Sequence, residues 1–213
     1  MLQYMQLSWH GQYTIKIISK DSTLILDPYA ANLGLPPFRA KADTLALSNP
    51  KDASMSNISG IQGNPLVINT PGEYSTKEYS LHSIGWNDAE GNERSLQRWM
   101  VEDMVVLHIG SLNRELNAQE LQELERADVD VLLVPVGGTG LSVSKVMNMI
   151  STIEPRIVVP IHYALPGLNE KLESVSSFAK EMGVSEIASE KKLILKKNKL
   201  PQEDMQTIIL SPY

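Results

Sequence analysis

The feature that most restricts this chain is the stretch 129–163, where two continuous apolar runs, Val131-Leu-Leu-Val134 and Ile157-Val-Val159, bracket one amphipathic segment. The runs are short and rich in β-branched residues, so they read as strands buried on both faces. Between them, Ser142 is placed to cap a helix, and Val143, Val146, Met147 and Ile150 share one face before Glu154-Pro155 ends it. The product is a strand-helix-strand unit with a right-handed connection. Each strand then enters residues that are unusual for a plain core: Val136-Gly137-Gly138-Thr139-Gly140 after the first, Pro160-Ile161-His162-Tyr163 after the second. Ligands in helix-covered sheets sit beyond the carboxyl ends of strands, so a site is expected there. The plainer alternative is equally open: the glycines make a tight turn and His162 is a structural histidine.

With 213 residues and no linker-like stretch, the chain reads as one domain with a full core. Its net charge of -6 excludes a general affinity for nucleic acid. The one basic cluster, Lys191-Lys192, Lys196-Lys197 and Lys199, surrounds a short apolar run and reads as a solvated edge strand. Cysteine is absent, which removes disulfides, thiolate zinc sites and cysteine nucleophiles together. No membrane span or signal peptide is expected, and the default location is the cytoplasm.

Along the chain, strands are expected at 4–9, 13–18 and 23–26 as an antiparallel meander, then at 42–47, 66–68, 81–84, 95–101 and 104–109. The 42–47 strand delivers Ser48-Asn49-Pro50-Lys51-Asp52-Ala53-Ser54, a polar loop placed to carry function. Thr70-Pro71-Gly72-Glu73-Tyr74 suits a type II turn, and 87–93 a hairpin tip. Asn117 with Glu120 forms a capping-box pattern for a short helix. A later helix is expected over 169–182, stopped by Gly183, followed by strands at 193–195 and 207–210. Strands dominate the first half and alternate with helices in the second, which predicts a sheet-rich α/β sandwich with helices outside.

Five segments in this order resemble the metallo-β-lactamase superfamily, and within it the small branch that includes the ascorbate-phosphate lactonase and Zn-dependent hydrolases. They are Trp9-His-Gly-Gln-Tyr-Thr-Ile15 with Leu24-Ile-Leu-Asp-Pro28, Pro71-Gly-Glu-Tyr74, the strand and glycine loop 129–138, and Glu154-Pro-Arg-Ile-Val-Val-Pro-Ile-His-Tyr163. The resemblance implies an α/β fold, a four-layer αββα sandwich. It also implies that His162 stands where metal-binding members present their last histidine ligand.

The sequence departs from that pattern at the chemistry. Where relatives carry Thr-His-x-His-x-Asp-His, this chain has Ser48 to Ser54, with Asn49, Lys51 and Ser54 in place of the histidines and Ala53 in place of the aspartate. A one-residue shift brings Asp52 to the aspartate position. The family pattern His-x-Gly-Asp reads His108-Ile-Gly-Ser111 here, and the middle histidine has no counterpart, His82 being out of position. A zinc hydrolase needs three protein ligands and an open position. The expectation is therefore a module without cofactor that binds rather than hydrolyses. Its candidate cleft comprises Asn49, Lys51, Asp52, Ser54, Glu73, Ser111, Gly138 and His162, and its ligand class is a small anion. The alternative is a lactone or phosphoester hydrolase with zinc or manganese held by His162, Asp52 and another carboxylate, or with a rearranged serine-histidine pair. A homo-oligomer is compatible with either.

Overall fold

Apolar alternation over the first residues produces three antiparallel strands: β1 (Met5–Trp9), β2 (Ile15–Ser19) and β3 (Ser22–Leu26). Their inward side chains, Met5, Leu7, Trp9, Ile15 and Ile17 among them, have no exposure. The Trp9 indole needs a partner once buried and finds it in the Gln12 carbonyl, 2.9 Å away. In the computed structural model the residues described are 4–20, 22–50, 56–124, 128–138, 140–184 and 190–213.

The chain continues through β4 (Ala40–Lys41), β5 (Thr44–Ala46), β6 (Ile61–Gln62), β7 (Leu66–Ile68), β8 (Gly72–Ser75), β9 (Tyr79–Asn87), β10 (Glu93–Val101) and β11 (Met104–His108). Then come α1 (Ala118–Leu124), β12 (Val131–Pro135), α2 (Val143–Ile153), β13 (Ile157–Ile161), α3 (Val175–Glu181), β14 (Leu193–Leu195) and β15 (Gln206–Thr207). The first sheet has the order β14-β1-β2-β3-β5-β7 and the second β15-β13-β12-β11-β10-β9-β8, with β4 and β6 as a small separate pair. The two large sheets share one core that runs from Met5 through Trp99 to Leu210. Strands β11, β12, β13 and β15 are parallel neighbours in chain order, so right-handed connections put α1 and α2 on the same outer face. Outside the first sheet, a second cluster built on Ile25, Tyr29, Phe38 and Leu45 does the covering. The expected four-layer sandwich is thus realised with a loop-rich layer on one side.

The capping box at α1 forms reciprocally: Asn117 Oδ1 accepts from the Glu120 N–H at 2.9 Å and Glu120 Oε2 from the Asn117 N–H at 2.9 Å. Two expectations need correction. Residues 72–75 are not a type II turn but strand β8, paired with β9, because Gly72 takes φ 144 rather than the turn value and the chain runs on extended. The helix expected over 169–182 is confined to Val175–Glu181, capped by Ser174. Residues 169–173 bond elsewhere instead: the Asn169 N–H to Leu33 O, the Glu173 N–H to Gly137 O, and Glu173 O to the Ala164 N–H. That tethering brings the segment 164–174 against the loop after β12. Among the described residues no helix is long and apolar enough to cross a membrane.

Candidate functional site

Strands β3, β5, β11, β12 and β13 all run toward one pole, where their ends deliver Asp27, Ser48-Asn49, residues 109–111, Gly137-Gly138 and His162. Backbone there is held in an uncommon shape. Gln12, Asp27 and His162 have φ of 49°, 41° and 50°, a left-handed region that costs non-glycine residues about 1 kcal/mol or more. The surroundings impose it: Gln12 O accepts from both the Trp9 indole and the His162 N–H. Gly110, at φ 56, is glycine by necessity, since a Cβ would lie 2.5 Å from Ser48 Oγ.

Asp27 is the hub. It is buried, its Oδ1 accepts from the Ser48 N–H at 2.7 Å, and its Oδ2 accepts from Ser48 Oγ at 2.6 Å. His108 Nε2 lies 2.8 Å from Oδ2, and because a carboxylate can only accept, that nitrogen carries the proton. Asn49 extends the network: its Nδ2 donates to Ser48 Oγ at 3.1 Å, while its Oδ1 accepts from Ser111 Oγ at 2.6 Å and from Arg94 Nη1 at 3.1 Å. Arg94 enters from the start of β10 and is anchored by Asp88, whose Oδ2 takes its Nε at 3.1 Å and its Nη2 at 2.9 Å. Burial works to raise the Asp88 carboxyl, but hydrogen bonds from the Asn92 side chain and backbone and the Arg94 guanidinium hold it down at about 2.

A second group surrounds His162. The ring is buried and stacks on Tyr13, centroids 4.1 Å apart and planes 13° from parallel. Its Nε2 lies 3.6 Å from Glu170 Oε2, an ion-pair rather than a hydrogen-bond separation, and Gln12 Nε2 donates to the same oxygen at 2.8 Å. His162, against the opposing effect of burial, and then Gln12 lower the Glu170 carboxyl below its ordinary range. Gly138 packs beside the Glu173 carboxylate.

Of the residues named from sequence, the structure therefore joins Asn49 to Ser111 and sets Gly138 and His162 at the same pole. Lys51, Asp52 and Ser54 lie outside the described residues. Glu73 is elsewhere: it stands on edge strand β8, its side chain 78% exposed and 3.3 Å from His82, whose other nitrogen is 3.5 Å from Glu123 of α1. The side chain faces the helix layer because it shares a register pair with His82. Asp27, Arg94, His108, Gln12 and Glu170 were not foreseen. Asp27, an acidic residue ending the apolar run Leu24-Ile-Leu26, and His108, in the family's His-x-Gly-Asp position, carried a visible signal.

The donor set can be tested against the zinc or manganese centre that the resemblance implies. Asn49 Oδ1 has two lone pairs and both are already used, by Ser111 and Arg94. A guanidinium within hydrogen-bond reach of that oxygen repels a dication. Among the described residues no three histidine, aspartate or glutamate side chains converge as a metal set. The described residues of this set therefore do not fit a two-ion centre. Among the described residues Ser48 is not activated by an imidazole: Ser48, Asp27 and His108 touch, but the aspartate lies between the other two, so the hydroxyl donates to the carboxylate and not to the ring.

His10 opens the turn beneath this pole. Its ring lies 4.9 Å from Phe38 and 5.4 Å from Tyr213, with Ser8 Oγ 3.1 Å from Nε2. Burial, then Lys16, lowers its pKa from 6.5 to about 4. The unfolded chain takes up the proton first as pH falls. Stability should thus decline between pH 6.5 and 4, by about 1–2 kcal/mol once solvent screening of a partly exposed ring is allowed for. Urea midpoints across that range should be flatter for His10→Phe; an unchanged slope would refute the assignment.

Comparison with known proteins adds a lineage. The β-lactamase superfamily domain profile matches residues 6–162. A UPF0173 protein of Pyrococcus abyssi is 23% identical over 184 residues, 76% of this chain and 85% of that protein. A protein from Thermotoga maritima assigned to the Zn-dependent hydrolases of the metallo-β-lactamase superfamily superposes with a TM-score of 0.76 at 23% identity, covering 97% of this chain and 98% of its own. Igni18, a metallo hydrolase from Ignicoccus hospitalis, superposes with a TM-score of 0.66 at 12% identity, covering 91% and 99%.

Proposed function

The chain belongs to the β-lactamase superfamily, and from that premise we propose that it is a member whose metal centre has been rebuilt as a metal-free polar network and which works by binding rather than by hydrolysis. The observation that carries this reading is the saturation of Asn49 Oδ1 by Arg94 and Ser111. Asn49 occupies a ligand position of the family pattern, Ser111 replaces its bridging carboxylate, and Arg94 places a guanidinium beside them. Arg94 is buried and tied to Asp88, so the charge is fixed in place. On the His162 side of the pole the Glu170 and Glu173 carboxylates repel an anion, so a small anionic ligand is expected on the side of Asn49 and Arg94.

A single-metal hydrolase is the second reading, and the separation of His162 Nε2 from Glu170 Oε2, 3.6 Å, favours it: two ligands of one ion can stand that far apart. Those are two donors; the third in this reading is Asp52, which lies outside the described residues.

Elemental analysis after exposure to excess zinc or manganese and desalting separates the two. Wild type, His162→Ala and Glu170→Gln should all retain no stoichiometric metal, and chelator should leave the melting temperature unchanged. A metal present at a hundred times its dissociation constant would add about 2.7 kcal/mol of stability, so its removal could not pass unnoticed. One ion per chain, lost in both variants, would replace the binding reading with the hydrolase.

A further inference from the structure

We infer that the pole opposite this site is a self-complementary surface through which two copies of the chain associate. Between the end of α2 and residues 201–205 lies a groove of about 660 Å³. Its floor is apolar and includes Met147, Ile150, Ile153 and Met205, the last 43% exposed. Its rim is acidic: Asp128, Glu154, Glu203 and Asp204 all line it and all are exposed. The cation in the same groove, Arg156, is committed inward, with Nη1 donating to Pro201 O at 2.8 Å and Nε 3.3 Å from Asp130 Oδ1. A smaller cavity of about 250 Å³ shares Asp128, Val129, Ile153 and Glu154 and extends the groove toward Leu121 and Leu124 of α1.

Immediately beside it lies the opposite charge. Lys196 and Lys199 occupy the turn that leads from β14 into residues 200–205, and Lys197 Nζ, 2.7 Å from Asp130 Oδ2, clamps that turn to the start of β12. A basic turn therefore adjoins an acidic, apolar-floored groove at this pole. A two-fold axis between them lays the turn of each copy across the groove of the other, which is the arrangement an isologous dimer requires. Pairing through edge strand β14 itself is disfavoured, since it would bring its lysines together. The occupant that this pattern fits is thus a second copy, met charge to opposite charge.

The test is sedimentation or light scattering over a range of protein concentrations, at low and high salt. It uses wild type, Lys196→Glu with Lys199→Glu, and Glu203→Lys with Asp204→Lys. Wild type should be a dimer that high salt weakens at least about tenfold. Each charge-reversed variant should be monomeric, and mixing the two should restore a dimer, because a turn made acidic then meets a rim made basic at 203–204, while the basic turn of the other copy meets the native acidic groove. Circular dichroism and melting establish that the variants fold; Lys199→Glu and Asp204→Lys alone serve if a double variant does not. A wild type that stays monomeric at all concentrations would overturn the proposal and reserve the groove for a different basic partner. So would a dimer indifferent to both reversals, or reversed variants that fail to pair on mixing.

Discussion

Replacing Asp27 by alanine removes about 3–5 kcal/mol of stability, the range expected when a buried acceptor is taken away from several buried donors at once. Three are stranded: the Ser48 N–H, Ser48 Oγ and His108 Nε2. None can turn to water, since Ser48 and His108 have no exposure. Alanine also tolerates φ 41 poorly, whereas asparagine adopts that region readily and keeps one acceptor oxygen. Asp27→Asn should therefore fall well short of the alanine loss. Urea unfolding of both variants checks the order; an alanine cost below about 1 kcal/mol would mean that Asp27 is not the hub described.

Gly137→Ala is the second large effect, and its cause is different. Gly137 has no left-handed φ to protect, but a Cβ would lie 2.3 Å from His162 O and 3.1 Å from Leu172 Cβ. A backbone oxygen cannot move without its chain, so the loops after β12 and β13 must separate, at a cost near the upper end of the ~1–3 kcal/mol seen for overpacked interiors. Gly91→Ala is the control, because φ 81 strains it but nothing lies within 4 Å. It should lose only about 1 kcal/mol. The imidazole resonances of His162, which stacks on Tyr13, should shift in Gly137→Ala and not in Gly91→Ala. Undisturbed resonances with a Gly91-like stability loss would show that the two loops are not in contact.

Much of the fold was legible because the signals were local. Alternation over 5–26 fixed the meander, the two apolar runs fixed β12 and β13, and Asn117 with Glu120 announced its helix start. The helix expected from 169 failed because its early turns give up their own ladder for bonds to Leu33, Gly137 and Ala164, partners far away in sequence. The candidate site was half legible for the same reason. Asn49, Ser111 and His162 follow strand ends, and position together with the family pattern flagged them. Arg94 stands in a hairpin beside Asp88 and Asn92, where charge ordinarily means solvent, and only the approach of Asn49 shows that it is buried. Glu73 was misplaced by the reverse error: its Pro-Gly neighbours looked like a turn at the cleft, while the pairing of β8 carries it to the helix side.

The wiring of the site also says when it must form. The meander of β1 to β3 and the hairpins of β9, β10 and β11 close over short stretches of chain. By contrast, Gln12 meets Glu170 across 158 positions, Asp27 meets His108 across 81 and Asn49 meets Ser111 across 62. Closing such separations is slow, because chain entropy is surrendered before the contact is made. The pole that carries the unusual chemistry is thereby assembled after the local hairpins, and a ligand recognised there would select chains in which these distant segments have already met.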